Sequence, residues 1–138
     1  MIRSALQTVG AFVAGLLVAF ALVVGVEVLS NILHPLPMDS AMTQEEICRH
    51  VANYPAWVLA VVVAAWGLTA TIGTWIAQRF GNIYSATALG LLLTAAVGFN
   101  ISMLPYPMWF KVVIMIVIPI AALAGGQLGS RHKKVAVN

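Results

Sequence analysis

The chain has 138 residues, of which 62% are hydrophobic and only 8% are charged. A soluble domain usually carries about 25% charged residues, so this composition excludes a water-soluble globular fold and makes the lipid bilayer the expected surroundings. The net charge of +3 does not indicate a nucleic-acid partner, because the basic residues flank apolar segments in the positive-inside pattern of membrane proteins.

Four segments are long and apolar enough to cross a membrane. Each supplies the roughly 20 apolar residues that a hydrocarbon core of about 30 Å requires. Because backbone groups in lipid must bond to one another, each segment is predicted to be a helix. The predicted fold is all-α, a four-transmembrane-helix bundle that forms one domain over residues 1–138. The predicted spans are residues 8–33, 56–78, 83–103 and 108–128.

The basic residues predict the orientation of the bundle. Arg3, Arg79 and the basic tail 129–138 fall on one side of the membrane, which the positive-inside rule assigns to the cytoplasm. The longer loop, residues 34–55, has an excess of acidic residues and is predicted to lie outside. Both termini are therefore predicted to be cytoplasmic.

A short helix is predicted within the outer loop. Thr43-Gln-Glu-Glu46 has the Thr-x-x-Glu form of a capping box, in which each side chain bonds the backbone of the other residue. The helix is expected to cover about residues 44–53 and to lie along the membrane surface.

Small residues recur at every fourth position in spans one, three and four. Such ridges let helices approach closely, so we expect them to pack within the monomer, with contact to another subunit as the alternative. Span two has a polar stripe at helical spacing, which either bonds its own helix or lines a path toward the cytoplasm. The positions are Ala11, Gly15 and Ala19; Ala86, Gly90, Thr94, Gly98 and Ser102; Ala121, Gly125 and Gly129; and, in span two, Gly67, Thr71, Thr74 and Gln78.

Glu27 is the only acidic residue within a predicted span. Ionisable groups at membrane depth cost about 2.5–3.5 kcal/mol at a helix centre and commonly serve a function. Asn31 and His34 follow on the same helix face, and Asn100 and Lys111 lie at similar depth in spans three and four. We therefore predict a polar cluster near the outer surface. It is either a binding pocket or proton-handling site, or a buried Glu27–Lys111 ion pair braced by Asn100.

The outer loop contains weak candidates for a metal site. Glu46 and His50 are four residues apart, with Cys48 and His34 nearby. Zinc usually takes four ligands at recognisable spacing, so a solvated helix face is the favoured interpretation. Haem is not expected either, because His34 and His50 fall at the membrane edge. Cys48 is the only cysteine, which excludes an intrachain disulfide. No cofactor, catalytic residue or enzymatic activity is predicted.

Two motifs carry a resemblance. Glu27 followed by His34-Pro-Leu-Pro, and Asn100 followed by Pro105-Tyr-Pro-Met-Trp-Phe, resemble small four-helix bacterial integral membrane proteins that have no assigned activity. The resemblance implies the bacterial cytoplasmic membrane. Small multidrug transporters also have four helices and a glutamate in the first, but their glutamate lies nearer the membrane centre and their loops are shorter.

Two functional interpretations follow. The leading one is a small multi-pass membrane protein without chemistry of its own, acting as an accessory or assembly subunit. The alternative is a small oligomeric transporter or proton-coupled binding protein that uses Glu27. The expected partners are the lipid bilayer and either a second copy of the chain or another membrane protein.

Overall fold

The computed structural model describes residues 2–35 and 43–135, with side chains for residues 4–35 and 43–131. Four of its helices are long and apolar enough to span a membrane, as predicted. Parts of the predicted outer loop (36–42) and of the predicted tail (136–138) lie outside the described residues. The helices of the described ranges are α1 (Ile2–Leu33), α2 (Gln44–Ala52), α3 (Ala56–Phe80), α4 (Ile83–Met103) and α5 (Met108–Val135).

The four long helices form an up-and-down bundle around α3. This helix packs against α1, α4 and α5, and α4 also contacts both α1 and α5. Gln7 near the start of α1 donates a hydrogen bond of 2.9 Å to the carbonyl of Phe80 at the end of α3. At the same level Gly129 of α5 lies against Gln78 of α3. The beginning of α1 and the end of α5 therefore lie at the same end of the bundle.

The α3–α4 turn is tied to α1 by polar side chains. Asn82 caps α4, because its Oδ1 accepts hydrogen bonds from the backbone N–H groups of Tyr84 and Ser85 at 3.0 and 3.2 Å. Its Nδ2 donates to Thr8 Oγ1 at 2.7 Å. Ser85 Oγ donates to the Thr8 carbonyl at 2.9 Å. The cap of one helix thus sets its position against another.

Helices α1 and α3 meet through small residues on both sides. A Cβ atom added to Gly15 would lie 2.7 Å from the Gly73 carbonyl oxygen, and one on Gly73 would lie 3.1 Å from the Ala19 Cβ. Further along, a Cβ on Gly81 would lie 2.7 Å from the Ala11 Cβ. The predicted small-residue ridge of span one therefore packs within the monomer, where it brings two backbones close together.

The polar stripe of α3 forms the contact with α5. Thr71 Oγ1 donates to the Ala121 carbonyl at 3.2 Å, and Thr74 Oγ1 donates to the Ala122 carbonyl at 3.0 Å. Both hydroxyls also bond carbonyls of their own helix. Gly125 packs directly on Thr71 and Thr74. Because Thr74 is fully buried, this face of α3 forms an interhelical contact. It does not line a polar path toward the cytoplasm, the alternative that the sequence left open.

The capping box of α2 is present as predicted. Thr43 Oγ1 accepts from the Glu46 N–H at 3.3 Å, and Glu46 Oε2 accepts from the Thr43 N–H at 2.7 Å. Val51 on the opposite side of the helix is buried. Helix α2 therefore buries Val51 and leaves its capping residues exposed.

The largest group of buried side chains fills the other end of the bundle, where α3 and α5 begin and α4 ends. These residues form the apolar floor beneath the polar groups described next. They are Leu59, Val63, Ala70, Val97, Ile101, Phe110, Ile114 and Ile118.

Candidate functional site

A small cavity with polar walls lies at the end of the bundle that holds α2. Its volume is about 40 Å³. That is room for water molecules or a small ion, and far below the roughly 300–1,000 Å³ of pockets for drug-sized ligands. Its floor is apolar and includes Leu59, Ile101 and Ile114. Its polar walls are formed by Glu27, Ser30, Tyr54, Asn100 and Tyr106.

The polar side chains converge from two helices and two connections. Glu27 and Ser30 are three residues apart in α1 and so share a helix face. Asn100 comes from the last turn of α4. Tyr54 and Tyr106 each precede a proline at the start of a spanning helix. A residue before proline is restricted to extended backbone, so both tyrosines lie where the chain turns back into the bundle.

A second, open groove of about 330 Å³ runs along the surface of α1 beside the cavity. Glu27, Ser30 and Tyr54 line both spaces, and Asn31 lines the groove alone. The Glu27 side chain is exposed. Glu27 therefore lies at the boundary between the inner cavity and the outside of the bundle, and it is accessible from the surface of α1.

The described side chains do not include the alternative, a buried Glu27–Lys111 ion pair. Among the described side chains, the ion pair present is the exposed Arg49–Glu45 pair at 3.6 Å. Lys111 is half-buried in the first turn of α5 and lines neither the cavity nor the groove. The reason is the packing order: α1 and α5 each pack on α3, and among the described helices they make no contact with one another.

Tyr106 supplies a protonated hydroxyl to the cavity. Burial raises the pKa of Tyr106 to about 12, and the negative charge of Glu27 and the hydroxyl of Tyr54 act in the same direction. At neutral pH the phenol therefore keeps its proton and serves as a hydrogen-bond donor in the cavity.

Three rings join α2 to the rim of the cavity. The His34 and His50 rings stack with centroids 4.4 Å apart, and both contact the Tyr54 ring at 4.8 and 5.2 Å. The Tyr54 and Ser30 hydroxyls share a hydrogen bond of 3.1 Å. His34, predicted to extend the Glu27 stripe, instead belongs to this ring cluster of His34, His50 and Tyr54, which connects α2 to the cavity wall.

The ring cluster is expected to make the stability of the fold depend on pH. Burial is the main cause that lowers the pKa of His50, and the charge of His34 lowers it further. A hydrogen bond with the His34 backbone partly opposes this shift. The unfolded chain, with an ordinary pKa of 6.5, then binds a proton that the folded chain does not. The free energy of unfolding is expected to fall as pH falls through 6.5 toward the folded pKa.

Thermal unfolding from about pH 8 to about pH 5, where histidine titrates, measures this effect. His50→Phe keeps a ring for stacking but cannot titrate, so its unfolding temperature is expected to depend less on pH than that of the wild type. An unchanged pH dependence in His50→Phe contradicts a role for His50.

Glu46 and His50, the weak metal candidates, serve other contacts. The Glu46 carboxylate is held by Thr43, whose hydrogen bonds lower the pKa of that carboxyl. The His50 ring stacks on His34, and its Nε2 is buried without a hydrogen-bond partner. In the described part of the chain no group of three or more His, Cys, Asp or Glu side chains is arranged to hold a metal ion.

The predicted polar cluster is brought together in part. Glu27 and Asn100 line one cavity, Asn31 lies just outside it, and His34 and Lys111 lie elsewhere. Sequence reasoning missed the cavity residues Ser30, Tyr54 and Tyr106. Two signals point to them: Ser30 follows Glu27 by three residues, and both tyrosines stand in Tyr-Pro pairs before a span.

Comparison with known proteins finds no match to a family model, a curated protein or a solved structure. The four apolar helices are compatible with a small multi-pass membrane protein. The class of protein thus follows from the helices.

Proposed function

We propose that the protein is a multi-pass protein of the bacterial cytoplasmic membrane that binds a proton or a small monovalent cation at Glu27. The supporting observation is the position of the Glu27 carboxylate in a membrane-spanning helix. This carboxylate has no ion-pair partner among the described residues, and it lines a polar cavity. Ionisable residues at such depth commonly mark ion or proton pathways.

The cavity offers the donors that a hard cation prefers. Carboxylate, amide and hydroxyl oxygens come from Glu27, Asn100 and Ser30, and hard cations select oxygen ligands. A volume of about 40 Å³ suits an ion with water and argues against a bulky substrate. The same carboxylate binds either a proton or the cation, so the two ligands compete.

The proposed orientation places this site on the outer side of the membrane. The positive-inside rule puts both termini and Arg79 in the cytoplasm, at the end of the bundle opposite the cavity. Helix α2 then lies along the outer membrane surface. An external ion would reach Glu27 from this end of the bundle, and its release toward the cytoplasm would require a second conformation. The proposal includes no catalytic step.

A thermal-shift series with Li⁺, Na⁺ and K⁺ across pH tests this function. A ligand that binds only the folded state stabilises it by about 2.7 kcal/mol at 100 times its Kd. The wild type is expected to show a cation-dependent rise in unfolding temperature that Glu27→Gln lacks. Glu45→Gln, which removes an exposed carboxylate of α2, is the matched control and should respond like the wild type. An unresponsive wild type, or an equal response in Glu27→Gln, contradicts the proposal.

An accessory or assembly subunit is the second proposed function. It is supported by the face of α1 that carries Glu27 and Asn31, since both residues are exposed among exposed apolar side chains such as Val24 and Val28. A helix from a second copy or from another membrane protein would shield this carboxylate from lipid. A defined oligomer or complex that Val28→Trp dissociates supports this role, whereas a wild type that is monomeric in native mass spectrometry contradicts it.

A further inference from the structure

A long groove between α4 and α5 lies at the opposite end of the bundle from Glu27. Its volume is about 390 Å³, the largest of the three spaces considered, and its walls are mostly apolar. The wall on α4 consists of Ile83, Ala86, Thr87, Gly90, Leu91 and Thr94, and the wall on α5 of Pro119, Ala122, Leu123, Gly126, Gln127 and Ser130.

Small residues form the floor of this groove and leucines form its rims. A Cβ added to Gly90 would lie 3.1 Å from the Ala122 Cβ, so the helices touch at the floor. Gly126 leaves more space, since its added Cβ would lie 3.8 Å from the Ala86 Cβ. Leu91 and Leu123 are each 67% exposed and extend outward on either side. The result is a narrow slot that faces the surrounding lipid.

The length of the groove along the helices is about the thickness of one leaflet of the membrane. Each wall covers eleven residue steps, which at 1.5 Å per residue is about 16 Å. The hydrocarbon core is about 30 Å thick, so in the orientation proposed above a groove of this length reaches from the inner surface to near the midplane. A second helix packed on this face would continue across the whole span, whereas an acyl chain of the inner leaflet ends at the midplane.

The open end of the groove is polar and basic. Gln127 and Ser130 line it, and exposed Arg131 follows directly. In the sequence Lys133 and Lys134 come one helical turn after Ser130, and α5 continues to Val135. Basic groups next to interhelical pockets on the cytoplasmic side recognise anionic lipid headgroups. We propose that this groove binds an acyl chain of an anionic phospholipid, with the headgroup at the Gln127–Arg131 end.

Native mass spectrometry of the detergent-purified chain, titrated with phosphatidylglycerol and with phosphatidylcholine, tests this site. Gly126→Leu fills the groove, and it is expected to abolish retention of phosphatidylglycerol. Ala124→Leu adds the same side chain at an exposed position outside the groove, so it should retain the lipid. Arg131→Gln is expected to weaken phosphatidylglycerol binding about fivefold, the effect of one basic residue at an anionic surface, and to leave phosphatidylcholine binding unchanged.

Three outcomes overturn the proposal. One is equal lipid retention by Gly126→Leu and Ala124→Leu. Another is equal affinity of the wild type for the two lipids. The third is a wild-type dimer that Gly126→Leu dissociates without a change in bound lipid, which identifies a second copy of the chain as the occupant. Because the groove contains none of the cavity residues, each result is independent of the Glu27 site.

Discussion

Gly125→Ala is expected to destabilise the bundle by about 1–3 kcal/mol, the usual effect of overpacking a filled interior. The added Cβ would collide with the Thr71 carbonyl and with the Thr74 hydroxyl. Neither atom can move freely, because one is backbone and the other donates its hydrogen bond to α5. Helices α3 and α5 would have to separate, and the interhelical bonds of both threonines would lengthen.

The neighbouring glycine provides the control for this prediction. A Cβ on Gly126 would meet only the Ala86 Cβ, at 3.8 Å, which is ordinary van der Waals contact. Gly126→Ala is therefore expected to have a free energy of unfolding close to that of the wild type. Titration of the wild type, Gly125→Ala and Gly126→Ala with a denaturing detergent measures this. Equal destabilisation by Gly125→Ala and Gly126→Ala would show that the α3–α5 contact does not depend on close approach at Gly125.

Asn100→Leu is expected to abolish the cation-dependent stabilisation while leaving the basal unfolding temperature unchanged or higher. Asn100 forms the α4 wall of the cavity that Glu27 also lines. Leucine fills that space with an apolar side chain and removes an oxygen donor, so no hydrated ion fits. The floor of the cavity, which includes Leu59 and Ile101, is apolar, and a side chain that fills the void above it restores contacts that an empty space forfeits.

This result would separate ion binding from structural support. If Asn100 only braces the helices, its replacement lowers stability and leaves the response to cations intact. Ser102→Leu, two residues further on and exposed, controls for adding leucine near the end of α4. We expect it to respond to cations like the wild type in the same thermal-shift series.

The spanning helices were predictable because absence of charge over about 20 residues has only one structural solution in a lipid bilayer. The α2 helix was predictable because Thr43 and Glu46 form a local capping motif. Helix ends were less predictable. Helix α1 begins at Ile2 and α5 continues to Val135, since a helix extends into polar sequence at no loss of backbone bonding.

Which helices pack against one another depends on the fit between their side chains, and hydropathy does not encode this fit. The small-residue ridge of α1, which includes Gly15, was predictable from the sequence. The surface that it contacts was not, because it combines Gly73 of α3 with Gly81 in the turn after α3. The ridge of α4 contacts α5 at Gly90 and leaves a lipid-facing groove beside it. Small residues predict that helices meet closely, and the larger residues around them decide which helices meet.

The cavity was predictable only in part for the same reason. Depth in the membrane follows from position in the helix, so Glu27 and Asn100 were expected to lie at similar levels. Which helices contact one another depends on packing, and among the described helices α1 and α5 do not, so Lys111 forms no ion pair with Glu27. The tyrosines come from connections whose path depends on Pro55 and Pro107, and the first of them bonds Ser30 across 24 positions of the chain.

Calorimetric titration of the purified protein with Na⁺, in two buffers of different protonation enthalpy, tests the role of Glu27 most directly. If the carboxylate binds either a proton or the cation, then at a pH low enough to protonate part of the Glu27 carboxylates the wild type binds Na⁺ with a heat that depends on the buffer, because Na⁺ displaces the proton. Neither Glu27→Gln nor Asn100→Leu is expected to bind Na⁺ in this titration. Binding of equal affinity in Glu27→Gln, or no binding by the wild type, would contradict the proposed cation site.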